Sequence, residues 1–420
     1  MHRSRRALII GWRGGVGYAL LGLLRRHPLA LELLRGFDEL LLVDADEDAP
    51  SDPGIPGARV LPPQRIDSGA ALARLILEHR IDQVIELGRV DTFECLSATA
   101  AAGADYLSTN LENWESVTAT NRPWERHTLP CARRLLPGSR PTITRGSHLV
   151  GSGMNPGIVN VLAFQAAEAL RARARAPIEI DRLYVTEVDT SEPTVPVPEG
   201  ALPMTWSPAS CIDELTEPRS MYVDHGEVMI LDHRPTHARY EARCGHDQVA
   251  GYAVAHDELM TLSYRFPRAE LAFIYQVMPA ALRALARTSD PSTLTGLGLY
   301  PPVGPAPGAG YDRVGVLVGA EGAGELWVGI ETAQGEARRY GTNATELQVA
   351  AGVLAGWRQL GERPGIHTTE ELDHRRYLRD IEAVLGPALV VDDPEAPTRP
   401  LRERTVWRRP GPPREDVAAS

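Results

Sequence analysis

The run Gly11-Trp12-Arg13-Gly14-Gly15-Val16-Gly17 spaces glycines three apart, between an apolar strand pattern and an apolar helix pattern. A turn of this kind lets backbone N–H groups and a helix N-terminus approach a pyrophosphate. Asp44 closes the next strand pattern, 27 residues after Gly17. An acid there accepts hydrogen bonds from the ribose hydroxyls of a dinucleotide. Asp46, Glu47 and Asp48 crowd the same turn and repel a 2′-phosphate, which predicts NAD rather than NADP; Arg13 is the cation that works against that repulsion. The expected cofactor contacts are therefore Gly11, Trp12, Arg13, Gly14, Gly15, Val16, Gly17 and Asp44. The plainer readings are a glycine turn without a ligand and a solvated acidic loop.

A second chemical run is Gly151-Ser152-Gly153-Met154-Asn155-Pro156-Gly157, between a strand pattern and the helix pattern Ile158 to Leu170. Asn155 precedes a proline and is kept out of helical geometry. Its amide faces a ligand in the crevice on this reading, so Asn155 is expected in the cofactor site and beside the substrate. As a bare motif it reads equally as a helix cap. One absence constrains everything else. All 44 basic residues of the 420 are arginine, and there is no lysine. Imine chemistry on an enzyme lysine is excluded, so any imine must form between substrates.

The elements that must position these residues alternate at first. Strand patterns at 7–10, 39–43, 83–87 and 106–107 interleave with helix patterns at 16–26, 67–79 and 91–102, which predicts a parallel sheet covered on both faces. The middle carries strand runs at 178–188, 227–231 and 249–255 and a hairpin at 313–318 and 325–332. Helices are expected at 344–359 and from Thr368, with Glu371 closing a capping box, to about Leu385. The fold class is α/β: an N-terminal Rossmann NAD-binding domain (1–153), an α+β catalytic and dimerisation domain with a mostly antiparallel sheet (154–340), C-terminal helices packing back on the Rossmann domain (341–393), and a Pro/Arg-rich mobile tail (394–420). A net charge of −11 disfavours nucleic acid and suits a cationic ligand. Four scattered cysteines form no CxxC, so no metal is expected. No apolar run approaches a membrane span, the basic start Met1 to Arg6 leads into too short an apolar run for a signal, and a cytoplasmic protein is expected.

Several segments together resemble bacterial homospermidine synthase, of the saccharopine-dehydrogenase-like superfamily. They are Gly153-Met154-Asn155-Pro156-Gly157, Thr186-Glu187-Val188-Asp189-Thr190, Met204-Thr205-Trp206-Ser207 with Glu214, Val254-Ala255-His256-Asp257-Glu258, and Gly310-Tyr311-Asp312-Arg313. Glu370 to His374 and Leu385-Gly386-Pro387 match the family's C-terminal helix. The segment Phe273 to Pro279 stands where the family has a helix start. The resemblance implies an aminoalkyl transferase with resident NAD: a diamine, putrescine by default, is oxidised to an imine, coupled to a second amine and reduced by the same NADH. It also implies homodimers. The residues it assigns to the amine pocket are Glu187, Trp206, Glu214, Asn155, His256 and Asp312. Their types suit that task, since carboxylates pair with ammonium ends and an indole face holds a cation. Each has a plainer reading too: Trp206 as core, Glu187 on a solvent face, His256 as a sheet residue, Asp312 as a loop cap.

Two other readings compete. One is a saccharopine- or carboxyspermidine-type dehydrogenase doing net reductive amination with NAD(P). Such an enzyme recognises a substrate carboxylate, commonly through Arg, and the matched pocket residues include none. The other is a Rossmann protein that only binds a partner.

Overall fold

The structure is a computed structural model and describes residues 5–46, 52–112, 128–217, 219–302 and 304–409. Glu47, Asp48, the first four residues and the end of the tail, 410–420, lie outside the described residues. The first sheet is built from β1 (Arg6–Ile10), β2 (Glu39–Val43), β3 (Ala58–Val60), β4 (Gln83–Glu86), β5 (Asp105–Ser108) and β6 (Ser147–Leu149). A strand from far downstream, Gly365–His367, completes it next to β6, and all its pairings are parallel. β1 and β4 lie side by side, so the strand order reverses between them, the place where such sheets bind ligands beyond their C-terminal ends. Helices α1 (Gly15–Arg26), α2 (Pro28–Leu34), α3 (Gly69–His79) and α4 (Thr92–Ala102) supply cover. The unbroken apolar runs of β1 and β2 follow from that double burial.

After α5 (Ile158–Arg173) the chain enters a ten-stranded sheet. Its strands are β7 (Arg182–Asp189), β9 (Met221–Asp224), β10 (Glu227–Ile230), β11 (Ala238–Cys244), β12 (Asp247–Val254), β13 (Glu270–Gln276), β15 (Tyr311–Ala320) and β16 (Gly324–Ala333), with two more from beyond residue 388, only the second of them within the tail. β8 (Ala201–Met204) and β14 (Thr295–Gly298) form a separate parallel pair. Helices α6 (Pro208–Thr216), α7 (Asp257–Arg265) and α8 (Pro279–Ala286) connect them. Pairing is antiparallel except for β7 with β13. The hairpin β15–β16 forms as its sequence predicts, with Gly322 and Gly324 at φ of 73° and 72°, a turn geometry that favours glycine. Phe273 to Pro279 is no helix start. Phe273-Ile274-Tyr275 belongs to β13 between β7 and β12, and only Pro279 opens a helix.

Helix α9 (Ala344–Trp357) returns to the first sheet and packs on α1. Trp357 donates its indole N–H to Gln83 of β4 at 2.8 Å. The helix expected from Thr368 is two pieces. The Thr368–Glu371 capping box closes a single 3-10 turn, and Asp373 then caps α10 (His374–Leu385), accepting from the Arg376 N–H. β17 is the strand Gly365–His367 already described. The tail is not loose as far as 409. β18 (Leu389–Asp393) pairs with β16, and β19 (Thr405–Arg408) pairs with β11. Leu401 is fully buried, and buried Arg404 is paired to Glu325, which fixes the segment between those strands.

Candidate active site

A cleft of about 470 Å³ opens between the C-terminal edge of the first sheet and one end of the second. From the first sheet come Gly14, Gly15 and Val16 after β1, Gly88 and Arg89 after β4, and Asn110 to Glu112 after β5. From the second come Glu187, Trp206, Glu214, His256, Phe273 and Tyr275. The 153–156 turn crosses between them, and Thr345 and Glu346 at the head of α9 close the floor.

On the second-sheet side, register does the assembling. Glu187 and Asp189 alternate onto one face of β7, and Asp312 of β15 is the cross-strand partner of Asp189. All three are buried. Asn155 donates its amide N–H to Glu187 at 2.7 Å. Asn155 can reach there because the 153–157 turn is very tight: a Cβ on Gly157, at φ 136°, would lie 2.1 Å from the Gly153 carbonyl oxygen. Asp189 accepts from Thr205 at 2.8 Å, and Asp312 accepts from Thr345. One oxygen of Asp312 has no hydrogen-bond partner among the described residues. Burial, then the charge of Asp312, pushes the Glu187 carboxyl well above its usual range. Burial, then Asp189, does the same to Asp312. The three carboxyls of this face therefore cannot all be ionised together, and Glu187 and Asp312 compete for a proton.

His256 caps α7 and stacks on Phe273, with centroids 4.2 Å apart and ring planes 16° apart. Its two nitrogens face Glu214 and Glu258, each at 3.5 Å. Burial works against its charge, but Glu258 and Glu214 outweigh it and hold the imidazolium well above its ordinary range. Neighbouring Asp257 is pushed up to about 7 by burial and by Glu258. Trp206 donates its indole N–H to the Tyr275 hydroxyl at 3.0 Å, and both residues line the cleft.

On the first-sheet side the work falls to backbone. Gly11 has φ 78°, and a Cβ on Gly17 would sit 2.5 Å from the Gly11 carbonyl oxygen and from the Trp12 Cα. Only glycine allows the chain to turn from β1 into α1 so closely. Asp44 accepts the Arg13 N–H at 2.9 Å and the Asp46 N–H at 3.2 Å, so the acid is tied to the glycine turn. The Arg13 guanidinium bonds the Asp46 carbonyl and lies 4.9 Å over the Trp12 ring. These residues fit a dinucleotide: the turn from β1 into α1 is too tight for any side chain, Gly14, Gly15 and Val16 face the cleft at the head of α1, and the acid stands at the end of β2.

The structure thus brings Asn155, Glu187, Trp206, Glu214 and His256 together. Asp312 is set apart: it is fully buried behind Thr345 and does not line the cleft. Of the glycine turn, Gly14, Gly15 and Val16 line the cleft, whereas Gly11, Trp12, Arg13 and Gly17 shape the turn from behind. Trp12 is core, 4% exposed. The matched pocket residues include no arginine, yet one stands at the mouth. Arg89, in the loop after β4, lines the mouth, 3.5 Å from Glu112 and 3.3 Å from Asp213. Its loop matched no motif, so sequence gave no signal for it. Glu346 was hidden differently. A Glu three residues after Asn343 reads as a capping residue, yet its side chain goes to the cleft. Among the described residues no group of three or more His, Cys, Asp or Glu is placed to hold a metal ion, and no helix is long and apolar enough to cross a membrane.

No family model matches the chain, and neither does any curated protein. Solved structures do. The chain is similar to the homospermidine synthase of Legionella pneumophila, itself in complex with NAD, over 93% of this chain and 91% of that one, with a TM-score of 0.73 and 20% identity. It is also similar to saccharopine dehydrogenase (L-Glu forming) from Saccharomyces cerevisiae, over 93% and 100%, with a TM-score of 0.57 and 10% identity. The expected architecture, a Rossmann-type parallel sheet joined to a mixed sheet, is therefore the fold these enzymes share, along nearly the whole chain.

Proposed function

We propose that the protein is an NAD-dependent enzyme acting on amines, of the homospermidine-synthase type, with a diamine such as putrescine oxidised, coupled to a second amine and reduced again without net redox change. The observation that carries this reading is the single cleft in which Glu187, bonded to Asn155, and His256, between two carboxylates, face the N-terminus of α1. NAD would be held by the glycine turn and Asp44, and it supplies the acceptor for hydride from the amine carbon.

The side chains do the rest. An ammonium cannot lose hydride, so it must first give up a proton. An alkylammonium and a carboxyl ordinarily differ by roughly six pKa units. Burial and Asp312 narrow that gap at Glu187, which makes it the base. His256, held protonated, is the acid that lets ammonia leave when the second amine adds to the imine carbon. The Trp206 face holds the cationic imine, an interaction of about 0.5–2 kcal/mol. No lysine exists to hold it covalently.

Arg89 favours a second reading, net reductive amination of a carboxylate-bearing partner. Incubation with putrescine and other diamines, with and without added NAD(H), separates the two. A coupled amine plus ammonia at constant 340 nm absorbance supports the transferase. Stoichiometric NADH consumption with a keto acid rejects it for the dehydrogenase, and no turnover with any amine rejects both.

A further inference from the structure

Glu346 stands in the first turn of α9, directly across the cleft floor from the first residue of α1. Its Oε1 lies 2.2 Å from the position a Cβ on Gly15 would take, so glycine at 15 is what makes room for this carboxyl. Its other oxygen is buried without a hydrogen-bond partner among the described residues. The backbone beneath it is pinned. Asn343 accepts the Glu346 N–H at 2.9 Å and donates its own amide to the Thr205 carbonyl at 2.6 Å. A buried, unpartnered carboxyl oxygen at the very helix end that suits a phosphate is an unusual placement, because two anions cannot share that end.

The surroundings decide the protonation state. α1 presents Gly14, Gly15 and Val16, none of them titratable. Tyr300, from the loop after β14, is raised by its own burial and then by Glu346. Glu187 shares the cleft from β7, and Asp312 lies behind Thr345. Burial alone pushes Glu346 up to about 8, with no cation to pull it down.

We propose that Glu346 must carry its proton for the cleft to take the dinucleotide's pyrophosphate. As a carboxylic acid it donates O–H to a phosphate oxygen at the head of α1. As a carboxylate it meets that oxygen as a like charge and closes the site. The inference rests on the cofactor reading above and adds to it a proton that is bound along with the nucleotide.

ADP-ribose is the probe, since it carries the pyrophosphate but no nicotinamide and cannot react. Titration calorimetry from pH 6.5 to 9.5 should show an affinity that is flat below pH 7 and about 10-fold weaker by pH 9, the linkage expected of one group titrating near 8. Glu346→Gln keeps a donor and cannot ionise, so whatever its affinity at pH 7, it should lose that weakening at higher pH. Wild-type binding at pH 8.5, repeated in buffers of different ionisation enthalpy, should take up about three-quarters of a proton; this measurement needs no variant to fold. Parallel pH curves for the two proteins, or no proton uptake, overturn the role of Glu346 while leaving the cofactor reading intact. No ADP-ribose binding at any pH overturns that reading and this inference with it.

Discussion

The two walls of the cleft are made differently. The first-sheet wall is local: seven consecutive residues, a strand end before them and a helix after, with contacts made by backbone. The second-sheet wall is assembled from β7, β13, α6, the head of α7 and two returning turns, and its contacts are made by side chains whose charges depend on each other. A local backbone site is set by steric allowance at a few glycines. A side-chain site of this kind is set by register and by shared protons, so one substitution alters its neighbours too.

The largest effect expected is at Glu187. Glu187→Gln should lower kcat by about 1000-fold with an unchanged melting temperature, because a positioned base contributes 10² to 10⁴. Coupled-amine formation followed by mass tests it, and full activity in that variant removes the base assignment. Gly17→Ala probes the local wall. The new Cβ meets backbone on two sides, so nucleotide binding should weaken about 100-fold, close to 2.7 kcal/mol. Unchanged binding would mean that the turn does not hold the cofactor.

Trp206 should matter less. Trp206→Ala is expected to cost about 10- to 30-fold in kcat/KM for a diamine, and Trp206→Phe to recover part of that, as a cation over an aromatic face requires. Equal losses in both would point to the hydrogen bond with Tyr275 instead. Asp312→Asn tests the shared protons without touching the cleft. Asp312 raises Glu187, so its neutralisation lets the Glu187 carboxyl fall. The limb of the kcat/KM–pH profile governed by that base should move to lower pH; a profile that stays in place breaks the proposed coupling.

The smallest effect concerns stability. Glu86, at the end of β4, is pushed up to about 8, chiefly by burial, and accepts the Gly88 N–H at 2.7 Å. A carboxyl whose folded-state pKa is raised contributes most stability at low pH and loses it as pH rises through the folded value. The melting temperature should therefore decline between about pH 5 and 8 and level off above, and less so in Glu86→Gln. Identical declines in the two proteins would assign that loss to other groups.

Much of this was legible in the sequence for a physical reason. The glycine spacing, the strand–helix alternation and the 311–333 hairpin are written in neighbouring residues, and the lysine count settles by itself that no enzyme imine can form. Asp44 was legible as the acid after β2, though not its bonds to the turn. Other features depend on distance. Phe273 to Gln276 end strand β13, whose place between β7 and β12 is decided at a distance. A tail rich in proline and arginine reads as loose because both are usually solvated, yet Arg404 finds Glu325 and is buried. The resemblance puts Asp312 in the pocket, whereas the pairing of β15 with β7 sets it behind Thr345. The sequence alone therefore determined the glycine turn and the absence of a lysine nucleophile. Only the tertiary structure decided which acids share protons, that Arg89 reaches the mouth, and that Glu346 faces Gly15, because those relations exist only once two sheets and a returning helix enclose a common space.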